Sequence, residues 1–216
     1  MSDSYAGNHP PAAILELNES LRRLTETAVR IAELPPEAGE DVRAVRDQID
    51  RLEQRLHAFA LNDVMPRMGP EPAGTRPFFM KGVVMGPHHI LRPELAMGLD
   101  GEVTRGTVKF GISFEGPPGC VHGGYVAHFF DQVLGQHNLD AEVPAMTGTL
   151  SVRYRKGTPL MRDLDFEVRH EAAGERKVIT RGSLSADGEV FAEAEGTFIV
   201  PRTSRWQDEA AADSTR

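Results

Sequence analysis

Between residues 11 and 65 the apolar side chains keep helical time. Ile14, Leu17, Leu21, Leu24, Ala28 and Ile31 step by three and four, and after Pro35-Pro36-Glu37-Ala38-Gly39 the rhythm returns in Val42, Val45, Ile49, Leu52, Leu56 and Phe59. This spacing predicts two helices, each with one narrow apolar seam, joined by a short turn: a helical hairpin. Each seam lasts under three heptads, short for an autonomous coiled coil. Such seams pack on each other, on the rest of the protein or on a partner subunit. Residues 66–81 are rich in Pro and Gly and read as a linker.

From about residue 82 the period changes to two. Val108, Phe110, Ile112 and Phe114 alternate with Lys109, Gly111 and Ser113, as Leu150, Val152 and Tyr154 do with Ser151, Arg153 and Arg155. Leu164, Phe166 and Val168 follow suit, and 176–186 and 189–200 are also strand-like. Asp100-Gly101 and Asp187-Gly188 are hairpin-turn signals, and Ala173-Gly174 separates two further strands. Residues 122–137 break the alternation. Tyr125, Val126, Phe129, Phe130, Val133 and Leu134 spread over much of a helix circumference, as in a helix wrapped by a sheet. The expected order is two strands, a long central helix, then four short strands.

Composition narrows the function more than the fold. With 24 Lys plus Arg against 32 Asp plus Glu the net charge is −8, and the first 70 residues alone hold 12 acids and 8 bases. That sign argues against a nucleic-acid binder. A single Cys excludes a disulfide framework and a multi-cysteine metal site, and His88-His89, His128 and His137 have no metal-ligand spacing. No apolar run is long enough to span a membrane, and Met1–Ala13 does not read as a secretory signal, so the expected location is the cytoplasm. Nucleophile-elbow, P-loop and dinucleotide fingerprints are absent from the sequence.

The chemistry concentrates in Gly116-Pro117-Pro118-Gly119-Cys120-Val121-His122-Gly123-Gly124 and in Asp131 on the helix that follows. Glycines at a helix start leave backbone N–H groups open to a ligand oxygen, where the helix dipole favours negative charge. An acid beside Phe130 is costly on an apolar helix unless it is paired or functional. Gly124 and Asp131 are seven residues apart, roughly 10 Å at about 1.5 Å per residue. Both reach one carbonyl only if two helices run antiparallel across a two-fold axis, which requires a dimer with shared sites.

His122-Gly123-Gly124, Asp131 nine residues after the His, Gly135 four further on, Met146 to Lys156 and Thr158-Pro159-Leu160 together resemble the PaaI-like acyl-CoA thioesterases of the hotdog-fold superfamily over about residues 82–200. The resemblance implies an α+β hotdog fold, a curved antiparallel sheet wrapped around the central helix, preceded here by the helical hairpin. The expected organisation is a disordered N-terminus (1–10), the hairpin (11–65), the linker (66–81), the hotdog domain (82–202) and a disordered tail (203–216). The resemblance further implies hydrolysis of an acyl-CoA thioester to free acid and coenzyme A, without cofactor or metal, by a homodimer or homotetramer. By position, Asp131 would be base or nucleophile and the Gly124 amide would polarise the carbonyl. His122 and Gly123 would shape that turn, and Thr147 would supply a hydroxyl to water or to Asp131. Arg153, Arg155 and Lys156 would meet the coenzyme A phosphates, and the acyl chain would lie partly against Phe129 and Phe130. Two departures stand out: no Asn occurs in Gly116–Val121, and Gly157 follows the basic pair where the family often has Pro. A non-catalytic acyl-CoA sensor or an enoyl-thioester hydratase would use the same fold.

Overall fold

The computed structural model describes residues 12–31, 33–58, 89–90, 92–143, 145–174 and 176–200. Helix α1 spans Ala12–Val29 and α2 spans Gly39–His57, separated by a single 3-10 turn at Pro36–Ala38 where the prolines end helical pairing. Strands β1 (Glu94–Asp100) and β2 (Val103–Lys109) precede helix α3 (Gly123–Asp140). Then come β3 (Met146–Tyr154), β4 (Asp163–Ala173), β5 (Lys177–Ala186) and β6 (Glu189–Ile199). The two expected tails, the linker 66–81, residues 82–88 and the last seam position, Phe59, lie outside the described residues.

The described chain forms two compact units, residues 12–26 with 89–200 and residues 27–58. In the first, the six strands form one antiparallel sheet in the order β1-β2-β4-β5-β6-β3. α3 packs on its inner face, which is the hotdog arrangement. The turn signals act as expected: Asp187 and Gly188 both take positive φ in the two-residue loop between paired Ala186 and Glu189.

Alternation explains the inner face. Leu164, Phe166, Val168, Val178, Leu184, Ala192, Ala194 and Phe198 are buried, and their neighbours Glu167, Arg169, Arg181, Glu193 and Glu195 point outward. α3 contributes Val126, Phe129, Phe130, Val133 and Leu134, with Phe129 edge-on to Phe166 at 5.1 Å. A Cβ at Gly182 would sit 3.2 Å from Leu134 and 3.3 Å from Phe130, so the bare backbone there lets the helix close on the sheet. Phe129 and Phe130 are fully buried among the core rings, so neither lines an open acyl groove as expected; they sit on the face of α3 that packs on the sheet, while His128, Asp131 and Gln132 lie on the other.

The period-two reading overshoots at one place. β2 stops at Lys109, and Ile112–Phe114 is a 3-10 turn. Phe110 and Phe114 are buried all the same, because a tight turn also returns side chains to one face. In α1 the covered side matches the expected seam only in part. Asn18 is buried and Leu15, Leu17, Leu21, Arg22, Thr25 and Glu26 are partly so, while Ile14, Leu24 and Ala28 stay exposed. In the second unit every residue of α2 from Glu40 to His57 is exposed. Among the described residues no helix is long and apolar enough to cross a membrane.

Candidate active site at the first turn of the central helix

The turn into α3 is fixed by its own backbone. The amide of Val121 donates to the Thr158 carbonyl and that of His122 to the Phe114 carbonyl, both at 2.8 Å. The Gly119 amide, at φ 74°, donates to Glu115 Oε1 at 2.8 Å. His122 is then the N-cap of α3: its Nδ1 accepts from the Gly124 amide at 3.0 Å. An orphan N–H of a helix start has found a side-chain acceptor. The Gly124 donor is therefore present where the sequence places it, but within one chain it is occupied by His122 rather than free.

Beside this turn opens a cleft of about 500 Å³ lined by Ser113, Glu115, His122, Gly124, Tyr125 and His128. Of these, the sequence singles out only His122 and Gly124. Helical spacing alone assigns Tyr125 to the core, and Ser113, Glu115 and His128 carry no pattern of their own.

Two turns along α3, the Thr147 hydroxyl donates to Asp131 Oδ1 at 2.9 Å. Asp131 is half-buried and not fully enclosed, since it lies where the helix emerges beside β3. At the far end of the same strand, the Tyr154 hydroxyl donates to the Gly123 carbonyl at 2.8 Å. β3 thus runs opposite to α3 and is tied to it at both ends, one tie on the acid and one on the glycine turn. Sequence reasoning misses Tyr154 as a site residue. Its signal is its place in the inward set with Leu150 and Val152, which aims it at the helix.

Among the described residues β3 pairs only with β6, from Met146↔Ile199 to Tyr154↔Ala192, so its other edge has no partner strand there. Nearly all of its residues are exposed. An unpaired edge of nine residues is a template for another strand.

The basic stretch divides. Arg155 is bound to Glu193, with Nη2 2.7 Å from the carboxylate, and Lys156 is paired with Glu189, so neither is free for phosphate in the single chain as the sequence suggests. Cross-strand carboxylates from β6 claim them, a register invisible to a linear reading. Arg153 is exposed on the outer sheet face, in a depression of about 570 Å³ that Arg169 and Arg181 also line. There Arg169 pairs with Glu167 and Arg181 with Glu171 and Glu195, whereas Arg153 makes no ion pair among the described residues. It faces away from α3, so the structure does not bring it to Asp131 within one chain.

The other end of α3 holds a buried polar cluster. His137 Nδ1 lies 2.8 Å from Thr104 Oγ1, and Asn138 Oδ1 accepts from Thr180 Oγ1 at 2.6 Å and lies 2.9 Å from His170 Nε2. Burial, with His170 beside it, pulls the His137 pKa down to about 4, and burial lowers that of His170 too. Among the described residues no three His, Cys, Asp or Glu are grouped to hold a metal.

No family model matches the chain. The fold is similar to the crystal structure of a thioesterase superfamily protein, at 28% identity and TM-score 0.72, covering 89% of this chain and 97% of that one. That share extends beyond residues 89–200 into the helical part before them. Thioesterase superfamily member 2 from Mus musculus matches at 14% identity and TM-score 0.47 over 50% of this chain and 88% of that one. A Streptococcus mutans protein bound to acetyl-CoA matches at 21% identity and TM-score 0.45, over 50% and 89%.

Proposed function

We propose that the protein is an acyl-CoA thioesterase of the PaaI-like kind, acting in the cytoplasm as a homodimer with two shared sites. The observation that carries this reading is the hydrogen bond from Thr147 to Asp131, which holds a half-exposed carboxylate in one orientation beside an unpaired sheet edge. The likeness to a thioesterase superfamily structure over most of both chains supports it.

Two copies pairing antiparallel along β3 would carry the glycine turn of one protomer to Asp131 of the other. The thioester carbonyl oxygen replaces His122 Nδ1 as acceptor of the Gly124 N–H, and the helix dipole steadies the negative charge that develops on it. Asp131 takes a proton from water as the water oxygen bonds to the carbonyl carbon; alternatively its own oxygen attacks, and water then cleaves the anhydride. When the tetrahedral intermediate collapses the C–S bond breaks, the sulfur leaves with the electron pair, and coenzyme A departs as thiol after protonation. Thr147 keeps one carboxylate oxygen hydrogen-bonded so that the other faces the carbonyl. Of Arg153, Arg155 and Lys156, Arg153 alone lacks an ion pair among the described residues, and it would meet the coenzyme A phosphates where they run past β3 onto the outer sheet face.

A thiol-release assay over short, medium, long and aromatic acyl-CoAs tests the proposal. Release of one thiol per acid formed is expected with at least one class. Saturable binding without thiol release would make the protein a sensor instead, and loss of the enoyl absorbance of an unsaturated substrate would make it a hydratase.

A further inference from the structure

Among the described residues nothing covers the seam of α2. Val42, Val45, Ile49, Leu52 and Leu56 are between 39% and 51% exposed, and the other residues from Glu40 to His57 are exposed as well. A helix of 19 residues with no packed face is marginal in water, because helices in proteins draw most of their stability from burying one side. The five residues recur at 3, 4, 3 and 4, a heptad pattern in which Val42, Ile49 and Leu56 take the a positions and Val45 and Leu52 the d positions. β-Branched residues at the first two a positions, with Leu52 at d, are the choice that favours two parallel strands.

The flanking charges agree with that arrangement. In a parallel, in-register pair each g position faces the following e position of the other strand. Asp41 would then meet Arg46, an attraction made twice by symmetry, and Gln48 would meet Glu53 without repulsion. The outer positions carry Arg43, Asp47, Asp50, Arg51 and Gln54, which suit water. In the single chain Arg46 lies against Asp47, so the interchain pair fixes register more than it adds attraction.

We infer that the α2 seam is an interface for α2 of a second copy of this chain, forming a short parallel coiled coil. Two heptads are few for association at low concentration. The inference therefore rests on the dimer proposed above for its effective concentration: two copies already joined along β3 present their α2 helices to each other at high local concentration.

Crosslinking in the full chain tests it. With Cys120→Ser as background, Ile49→Cys places thiols at an a layer, where paired Cα atoms fall within disulfide reach, whereas Gln54→Cys places them on the outside. Mild oxidation should convert most of the Ile49→Cys chains to a reducible dimer on denaturing gels, and Gln54→Cys chains at least fivefold less. Native mass, by light scattering, is measured on the same samples before oxidation. A dimeric mass with no disulfide formed by the Ile49→Cys variant overturns this inference and leaves the shared site standing. A monomeric mass refutes the shared site, and the inference with it when that disulfide also fails to form. Equal crosslinking at 49 and 54 overturns the parallel pair at any mass.

Discussion

The two ends of α3 treat polar groups in opposite ways. Over its first half, the Gly124 amide and the Asp131 carboxylate are each held by one partner, His122 and Thr147, at or near the surface. A ligand oxygen or a water can displace such a partner at little cost. At the close, buried Thr104 pairs with His137 and buried Thr180 with Asn138, with His170 at the margin also on Asn138; His137 Nε2 and Asn138 Nδ2 are buried without a partner among the described residues. Removing either member of a pair there leaves a further buried group without its partner. One helix thus carries an adaptable polar end and a locked one; the first suits chemistry and the second holds the helix on the sheet.

Substitutions can break that contrast. The largest effect is expected at the adaptable end: Asp131→Ala should lower thioester turnover by about 10²–10⁴-fold, the range of a lost acid–base group, with the melting temperature held. At the locked end the effect should fall on stability instead. Asn138→Ala strips the acceptor from Thr180 and His170 and should cost about 3 kcal/mol in urea unfolding, with kcat of the folded fraction intact.

Acidity separates the ends in a second way. His137 resists protonation until pH falls to about 4 in the folded chain, while the unfolded chain takes the proton near 6.5. Between those values the unfolded state binds more protons, so stability drops as pH drops, by on the order of 2 kcal/mol from pH 7 to pH 5. Urea titrations at both pH values should show that drop in the wild type and a smaller one in His137→Gln.

Thr147→Val should lower kcat about tenfold by freeing the carboxylate to turn, and Thr147→Ser should restore it. The mildest change is expected for His122→Ala, which removes a helix cap worth about 1 kcal/mol. Because it also vacates the Gly124 amide, KM should not rise; a large rise would show that His122 contacts the substrate rather than guarding the donor.

What the sequence discloses follows from which forces are local. α3 is legible because a dense run of large apolar residues at helical spacing means burial, and β4, β5 and β6 because alternation, broken by Asp187-Gly188, leaves one pairing register. The stretch 108–114 misleads because a strand continued by a 3-10 turn buries Phe110 and Phe114 with the same spacing. The covered face of α1 is not foreseeable: its burial of Asn18 and partial burial of Arg22 depend on what lies against it, not on its own pattern. At the site, Asp131 and the glycine turn are visible as costly or permissive residues in an apolar setting. The His122 cap, the Tyr154 tie and the Glu193 and Glu189 partners of Arg155 and Lys156 are not, since each joins positions set by tertiary geometry. His137 and Asn138 read as an ordinary polar helix end, and only the sheet above them makes them core.

Among the described residues strand β3 is the third of six along the chain, yet its sole neighbour in the sheet is the last. During synthesis on the ribosome, residues 146–154 must therefore wait until 189–199 have emerged before they can dock. A chain cut short of the final strand would leave the segment bearing Thr147 and Tyr154 without its neighbour in the sheet. The pairing that ties Thr147 and Tyr154 into the sheet is thus decided by the sixth strand.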